Sequence, residues 1–257
     1  MRKWSWMCVL RRSSIEKQMK PIVITEEQLF HYIRCPLHYD TVYNKKIVLE
    51  KEKTFHGLLS KPATKFLTLL STGKVMATSS IKSAWDKIYE QNRDVIPQHR
   101  MLEGLDLLMK MYRWAEKVEL RVIDQKIPYS IGIDSRIGRI DFRGHIDCVA
   151  ADKDNDLYLL VLDFGNRMPN QTFLDMKVKF SLDSLALNRV YNKWAGIKVH
   201  YVKGDKDFYT VRKQEDYNRV EKAISNIAYS IQQNIYYPRE SVFCASCDMS
   251  NFCRAWP

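Results

Sequence analysis

The chain has 257 residues, 46% hydrophobic and 28% charged, which is ample for one sizeable core. Its formal charge of +11 favours polyanionic partners, because Lys and Arg release counterions from a phosphate backbone. No apolar run reaches the ~18–20 residues of a membrane-spanning helix, so a helical membrane protein and a membrane partner are not expected.

In chain order, residues 1–20 read as a basic, aromatic arm carrying Trp4, Trp6, Arg11 and Arg12. Six basic residues and only Glu16 as an acid precede Pro21, which is compatible with a mitochondrial presequence. The short apolar stretch is closed by Arg11-Arg12 with no small-residue cleavage site, so no secretion signal is read and an intracellular location is expected. Residues 21–257 are expected to form a single domain. Thr25-Glu-Glu-Gln28 fits a capping box, opening a helix with Leu29, Phe30 and Ile33 on its apolar side and ending near Cys35-Pro36. Residues 54–116 predict a helical block. Ser79 or Ser80 is the expected cap of one helix, with Ile81, Trp85, Ile88 and Tyr89 on one face. A second helix carries Met101, Leu105, Leu108, Met109 and Tyr112 at helical spacing.

The pattern then turns to strands at 118–130, 137–150 and 157–164, with Asp152–Asp156 as a turn. That turn lacks the glycine and the distal glutamate of a calcium loop. A helix over 181–195, capped by Ser181 and stopped at Gly196, precedes strands at 197–203 and 207–212. A long helix follows over 214–235, broken at Tyr237-Pro238. This order predicts an α/β fold with a mixed central sheet flanked by helices and a helical block inserted before it.

Two groups of residues carry chemistry. Cys244, Cys247 and Cys253 form a C-x2-C-x5-C run. Zinc and iron–sulfur clusters both need four ligands, so a fourth must come from elsewhere. Cys35, at a helix end beside Pro36, is the best placed; Cys148 reads as a core residue, and Cys8 is in reserve. On spacing alone zinc and iron–sulfur both stay open. The second group is Asp147, which by alternation shares one strand face with Arg143 and His145, opposite Gly144, Ile146 and Cys148, and Asp163 at the end of the apolar strand LYLLVLDF. Two aspartates on adjacent strands can bind Mg²⁺ or Mn²⁺, which polarise phosphates; a salt bridge and a strand end are the plainer reading.

Together these residues resemble the PD-(D/E)xK nucleases of the RecB type, which include CRISPR-adaptation exonucleases. ITEEQLFHYIRCPLHYDTVY resembles that family's opening helix, RGHIDCVA its G-x-(I/V)-D strand and LYLLVLDF the strand of its second acid. The C-terminal cysteines resemble its closing triplet. The resemblance implies a restriction-endonuclease-like fold, a 4Fe–4S cluster on Cys35, Cys244, Cys247 and Cys253 that staples the chain ends, and Mg or Mn at Asp147 and Asp163. The Phe164 carbonyl would be a further metal ligand. It also implies DNA as partner, with other proteins of a replication, recombination or repair machine.

The departures from the family pattern bear on catalysis. Its D-x-K lysine is replaced by Gly165. Asn166 and Arg167 follow, and Lys177 or Lys179 can reach in from the next segment. Thr64 stands at the position of the family's upstream histidine, with His56 eight residues earlier as the alternative. Ser184 and Asn188 stand where the family has Q-x-x-x-Y. Weakened or lost nuclease activity is therefore expected, the rival readings being an active metal-dependent exonuclease, a non-catalytic scaffold subunit and an unrelated zinc-stapled nucleic-acid-binding protein. If the rest of the site is intact, Gly165→Lys is expected to raise any trace activity.

Overall fold

A computed structural model describes residues 22–49, 54–72, 77–94, 96–191, 196–250 and 253; the arm at 1–20 and Cys8 lie outside them. The chain enters as β1 (Ile22–Thr25), a four-residue strand too short to show an alternating pattern. The capping box forms as expected: Gln28 N–H donates to Thr25 Oγ1 at 3.2 Å, and Thr25 N–H to Gln28 Oε1 at 2.9 Å. It opens α1 (Glu26–Arg34), which stops at extended Cys35. Pro36 then starts α2 (Pro36–Tyr39), since a first helical turn has no use for its missing N–H.

The helical block is α3 (Phe55–Ser71), α4 (Thr78–Glu90) and α5 (His99–Lys117). Its stripes meet in a core of Phe66, Ile81, Trp85, Leu107, Leu108 and Met111, all fully buried or nearly so. Burying each such side chain contributes about 1.5–3 kcal/mol. The cap of α4 is Ala77, not Ser79 or Ser80; the two serines lie inside its first turn. Close packing here depends on Gly104, where a Cβ would run into the Trp85 ring.

The sheet is built from β2 (Arg121–Ser135), β3 (Gly138–Ala151), β4 (Leu157–Asp163), β5 (Gly196–Tyr201) and β6 (Lys206–Thr210) together with β1. It is mixed: β1–β3 and β4–β5 are parallel, the other pairs antiparallel. The turn at 152–156 is tied by the Asp152 carboxylate, which accepts from the N–H groups of Asp154 (3.1 Å) and Asp156 (3.3 Å). Between β4 and β5 the chain forms the short α6 (Gln171–Met176) and then α7 (Val178–Val190). The helix expected from Ser181 thus starts three residues earlier. Ser181 is no cap: it is fully buried, and its hydroxyl accepts from Arg212 Nε at 2.9 Å. The last helix is α8 (Gln214–Gln232). One face of the sheet packs on α1, α7 and α8 through Leu29, Phe142, Ile146, Leu182, Val199 and Ile224. The other face meets the helical block through Leu67, Trp114, Cys148 and Leu160. Among the described residues no helix is long and apolar enough to cross a membrane.

One irregularity of the sheet positions everything that follows. β2 accompanies β3 along its whole length, but the opposite edge of β3 is shared. β1 pairs with residues 140–143 and β4 with residues 149–151. Between them, residues 144–148 have no strand neighbour on that edge among the described residues, and the sheet forks.

A candidate active site at the fork

The fork leaves strand backbone without its ladder partner, and buried N–H and C=O groups must be answered. At His145 side chains do this. Its N–H donates to Glu26 Oε2 at 3.4 Å, and its carbonyl accepts from Lys179 Nζ at 2.7 Å. Glu26 is delivered by β1 as the first residue of α1. Lys179 lies in the first turn of α7 and also contacts Glu26 Oε1 at 2.9 Å and Asp183 Oδ1 at 2.9 Å. An ammonium has three donors, so those of Lys179 are committed. Gly144 is required beside this cluster, because a Cβ would press on the Tyr129 hydroxyl and on Glu26 Oε2.

Electrostatics follow from burial. Asp183 is 2% exposed, and desolvation pushes its carboxyl up to about 7 against the pull of Lys179. For Lys179 burial pulls downward, but Asp183 and Glu26 outweigh it and hold the ammonium above its ordinary value. Lys177 differs. Burial lowers its pKa, with Asp163 the foremost opposing charge, followed by Asp183; Asp147 also contributes. Its ammonium stands 4.6 Å from the centre of the Phe180 ring and donates no hydrogen bond to a described residue.

The two expected acids flank this cluster. Asp147 is exposed, with His145 Nε2 at 3.2 Å. The pairing passes from Gln125–Cys148 to Ile127–Ile146, and Lys126 between them adopts a left-handed backbone with φ 52°. Asp147 lines a cleft of about 810 Å³ against α3, together with Lys61, Thr64, Lys65 and Lys126. Thr64 is therefore on the cleft, its hydroxyl donating to the Ser60 carbonyl at 2.8 Å. His56 does not line it; its ring packs on Phe55. Asp163 ends β4, and its Oδ1 accepts from Gly165 N–H at 2.7 Å. Phe164 is buried in the core of the helical block. Asn166 receives Lys203 Nζ at 3.2 Å, and Arg167 is exposed. Ser184 is fully buried, and Asn188 donates to the Tyr217 hydroxyl at 2.8 Å.

Asp147 lines the cleft and Asp163 does not; no contact joins them among the described residues, although both act on the charge of Lys177. Among the described residues no group of three His, Cys, Asp or Glu side chains is gathered closely enough to hold one ion.

A second centre lies where the chain ends meet. Cys35, Cys244, Cys247 and Cys253 all line one cavity of about 230 Å³, with Arg34 and Arg239 beside them. Burial pushes the Cys247 thiol up, opposed by a backbone N–H at Met249 and by Arg34. Direct bonds hold its walls: His38 Nε2 to Asp248 Oδ1 at 2.8 Å, Leu37 N–H to the Tyr237 carbonyl at 3.2 Å, and Arg239 Nη1 to the Ile33 carbonyl at 2.8 Å. Cys148, by contrast, is buried in the sheet, and its thiol is raised to about 12 by desolvation.

Glu26 and Asp183 were not expected from sequence. Glu26 is hidden in the capping box. Asp183 had a signal, an acid within the apolar run FSLDSLAL and four residues after Lys179.

The family model of the PD-(D/E)XK nuclease superfamily matches residues 24–254, and the chain belongs to that superfamily. No curated protein matches it. The crystal structure of SSO0001 is similar at 11% identity with a TM-score of 0.39, covering 78% of this chain and 95% of that one.

Two outcomes are expected. The first concerns Gly165→Lys: a Cβ at 165 stands 2.8 Å from Asp163 Oδ1, the oxygen that holds the Gly165 N–H, so the lysine assists once that flexible carboxylate turns aside. Cleavage assays with Mg²⁺ and Mn²⁺ should show a gain in trace activity over the parent; no gain would count against the expectation from sequence. The second concerns pH. The carboxyl of Asp183 rises from about 3.9 unfolded to about 7 folded, so the native state binds the extra proton between these values. Its contribution to stability is present below about 4 and is lost as pH rises towards 7. Urea denaturation at pH 4.5 and pH 7 should show the parent losing more stability over that interval than Asp183→Asn; equal losses would contradict the assignment.

Proposed function

We propose that this PD-(D/E)XK superfamily protein is a DNA-binding iron–sulfur protein of replication, recombination or repair, with nuclease activity much reduced. The observation that carries the reduced activity is the fork itself. The motif position holds a glycine bound by Asp163, and Lys179, the lysine nearest the acids Glu26 and Asp183, is saturated by acceptors. Loss of one transition-state group of this kind typically costs ~10²–10³ in rate. A Mg²⁺ or Mn²⁺ ion would be held by Asp147 and Asp163 and would supply Lewis-acid polarisation of a phosphate. The chain's own residues then bind and orient: Lys61, Lys65 and Lys126 at the cleft attract the phosphate backbone beside Asp147.

The cysteine cavity supports a 4Fe–4S cluster over zinc. A zinc site draws four ligands onto one ion with Zn–S bonds of about 2.3 Å. A four-iron cube places each thiolate on a different iron, so its ligands stand apart around a larger volume. Four cysteines around one cavity of about 230 Å³ are compatible with the larger volume of a cube. Arg34 and Arg239 beside them suit the net negative charge that four thiolates leave on either a cluster or a zinc ion.

A second reading, an active Mg- or Mn-dependent exonuclease, is favoured by Lys177. It is half-buried, lowered in pKa, within the field of Asp163 and Asp147, and has donors to spare. Partner proteins of a larger complex are the remaining part of the proposal, with the arm at 1–20 as their contact.

Anaerobically purified protein should be brown with close to four irons per chain, and Cys244→Ser or Cys247→Ser should remove the colour. Stoichiometric zinc without iron or sulfide would overturn the cluster. Binding to linear DNA should weaken steeply with salt and show little sequence preference. Cleavage with Mg²⁺ or Mn²⁺ should be weak or absent, and Asp163→Ala should leave binding unchanged or slightly tighter. Robust cleavage abolished by Asp147→Ala, Asp163→Ala and Lys177→Met would decide for the exonuclease.

A further inference from the structure

The acids Glu26 and Asp183 lie outside the Asp147–Asp163 pair, and their surroundings have the composition of a cation site. Four oxygens face one point: Glu26 Oε1 at 2.9 Å, Glu26 Oε2 at 3.1 Å, Asp183 Oδ1 at 2.9 Å and the His145 carbonyl at 2.7 Å from Lys179 Nζ. Two carboxylates and a backbone carbonyl are the donor types that hard divalent cations take. A second observation points the same way. The Tyr129 hydroxyl is buried, has no hydrogen-bond partner among the described residues, and borders Gly144 on the side where Glu26 Oε2 also lies. It stands in the field of Asp183 and Glu26, beside the same cluster.

We propose that Lys179 is the built-in cation of an oxygen-donor site at the fork, and that removing its charge converts the site into one for a divalent cation. The ammonium satisfies the unpaired His145 carbonyl and neutralises the two buried acids at once. The fork therefore closes without any divalent ion, and a divalent ion in the parent protein is confined to Asp147 and Asp163. Calcium is the fitting probe, because its flexible shell accepts carbonyl and carboxylate oxygens at 2.3–2.6 Å, a small contraction from the ammonium distances.

The test compares melting temperatures in EDTA and in millimolar Ca²⁺. Asp147 and Asp163 are intact in every variant, so any shift that they cause is common to all and separable from this site. Lys179→Ala removes the charge, vacates the ammonium position, leaves uncompensated buried acids and should lower Tm in EDTA by roughly 10 °C. Ca²⁺ should return about half of that loss or more, well beyond any shift in the parent. Adding Glu26→Gln and Asp183→Asn to Lys179→Ala should cancel the extra Ca²⁺ response. A Lys179→Ala protein with no Ca²⁺ response beyond the parent's, or one whose response survives the added substitutions, overturns the proposal. So does a Lys179→Ala protein insoluble in both media when the triple variant is soluble in both. A Ca²⁺ shift shared equally by the parent and all variants also counts against it, and would instead support metal binding at Asp147 and Asp163.

Discussion

Residues 144–148 of β3 run between two partners that do not meet, and the molecule is organised around that interruption. Backbone groups on this edge that lack a ladder partner are met at His145 by side chains. Glu26 comes from the end of β1, where the strand stops and α1 begins. Lys179 comes from the start of α7, brought over by the crossover from β4 to the parallel β5. The same interruption that demands these side chains opens the cleft beside Asp147. Structure and candidate chemistry thus share one cause.

That shared cause also explains why the site is both rich in acids and poor in free positive charge. Lys179 is held because the backbone of His145 and the two acids need it. Once held, its donors are occupied. Asp163 is likewise turned onto its own chain by the Gly165 N–H. Among the described residues, Lys177 donates no hydrogen bond, and Lys61, Lys65 and Lys126 line the cleft of Asp147.

The cysteine cavity obeys a similar logic at the other end of α1. The helix stops at Cys35 because Pro36 follows. The C-terminal segment returns to it through backbone and side-chain bonds at Leu37, Ile33 and His38. These bonds shape the cavity walls from protein alone. These bonds already join the segment that carries Glu26 to the C-terminal cysteines.

Much of this was legible in the sequence wherever the physics is local. Thr25 and Gln28 cap each other within one turn, Asp152 ties its own turn, and the stripes of α4 and α5 show which faces are buried. The alternation around Asp147, the apolar run ending in Asp163 and the cysteine spacing pointed to candidate ligands for the same reason. What only the tertiary structure decided lies far apart along the chain. Glu26 and Lys179 are separated by 153 residues, and no periodicity announces their meeting. Ser181 looked like a cap, but a buried Arg212 some thirty residues later claims its hydroxyl. β1 was missed because four residues carry no pattern, yet its pairing with β3 defines one arm of the fork. Local hydrogen bonds and side-chain periodicity write themselves into neighbouring residues. A gap in a sheet edge is created by strands that pair across the whole chain, and so are the partners that fill it.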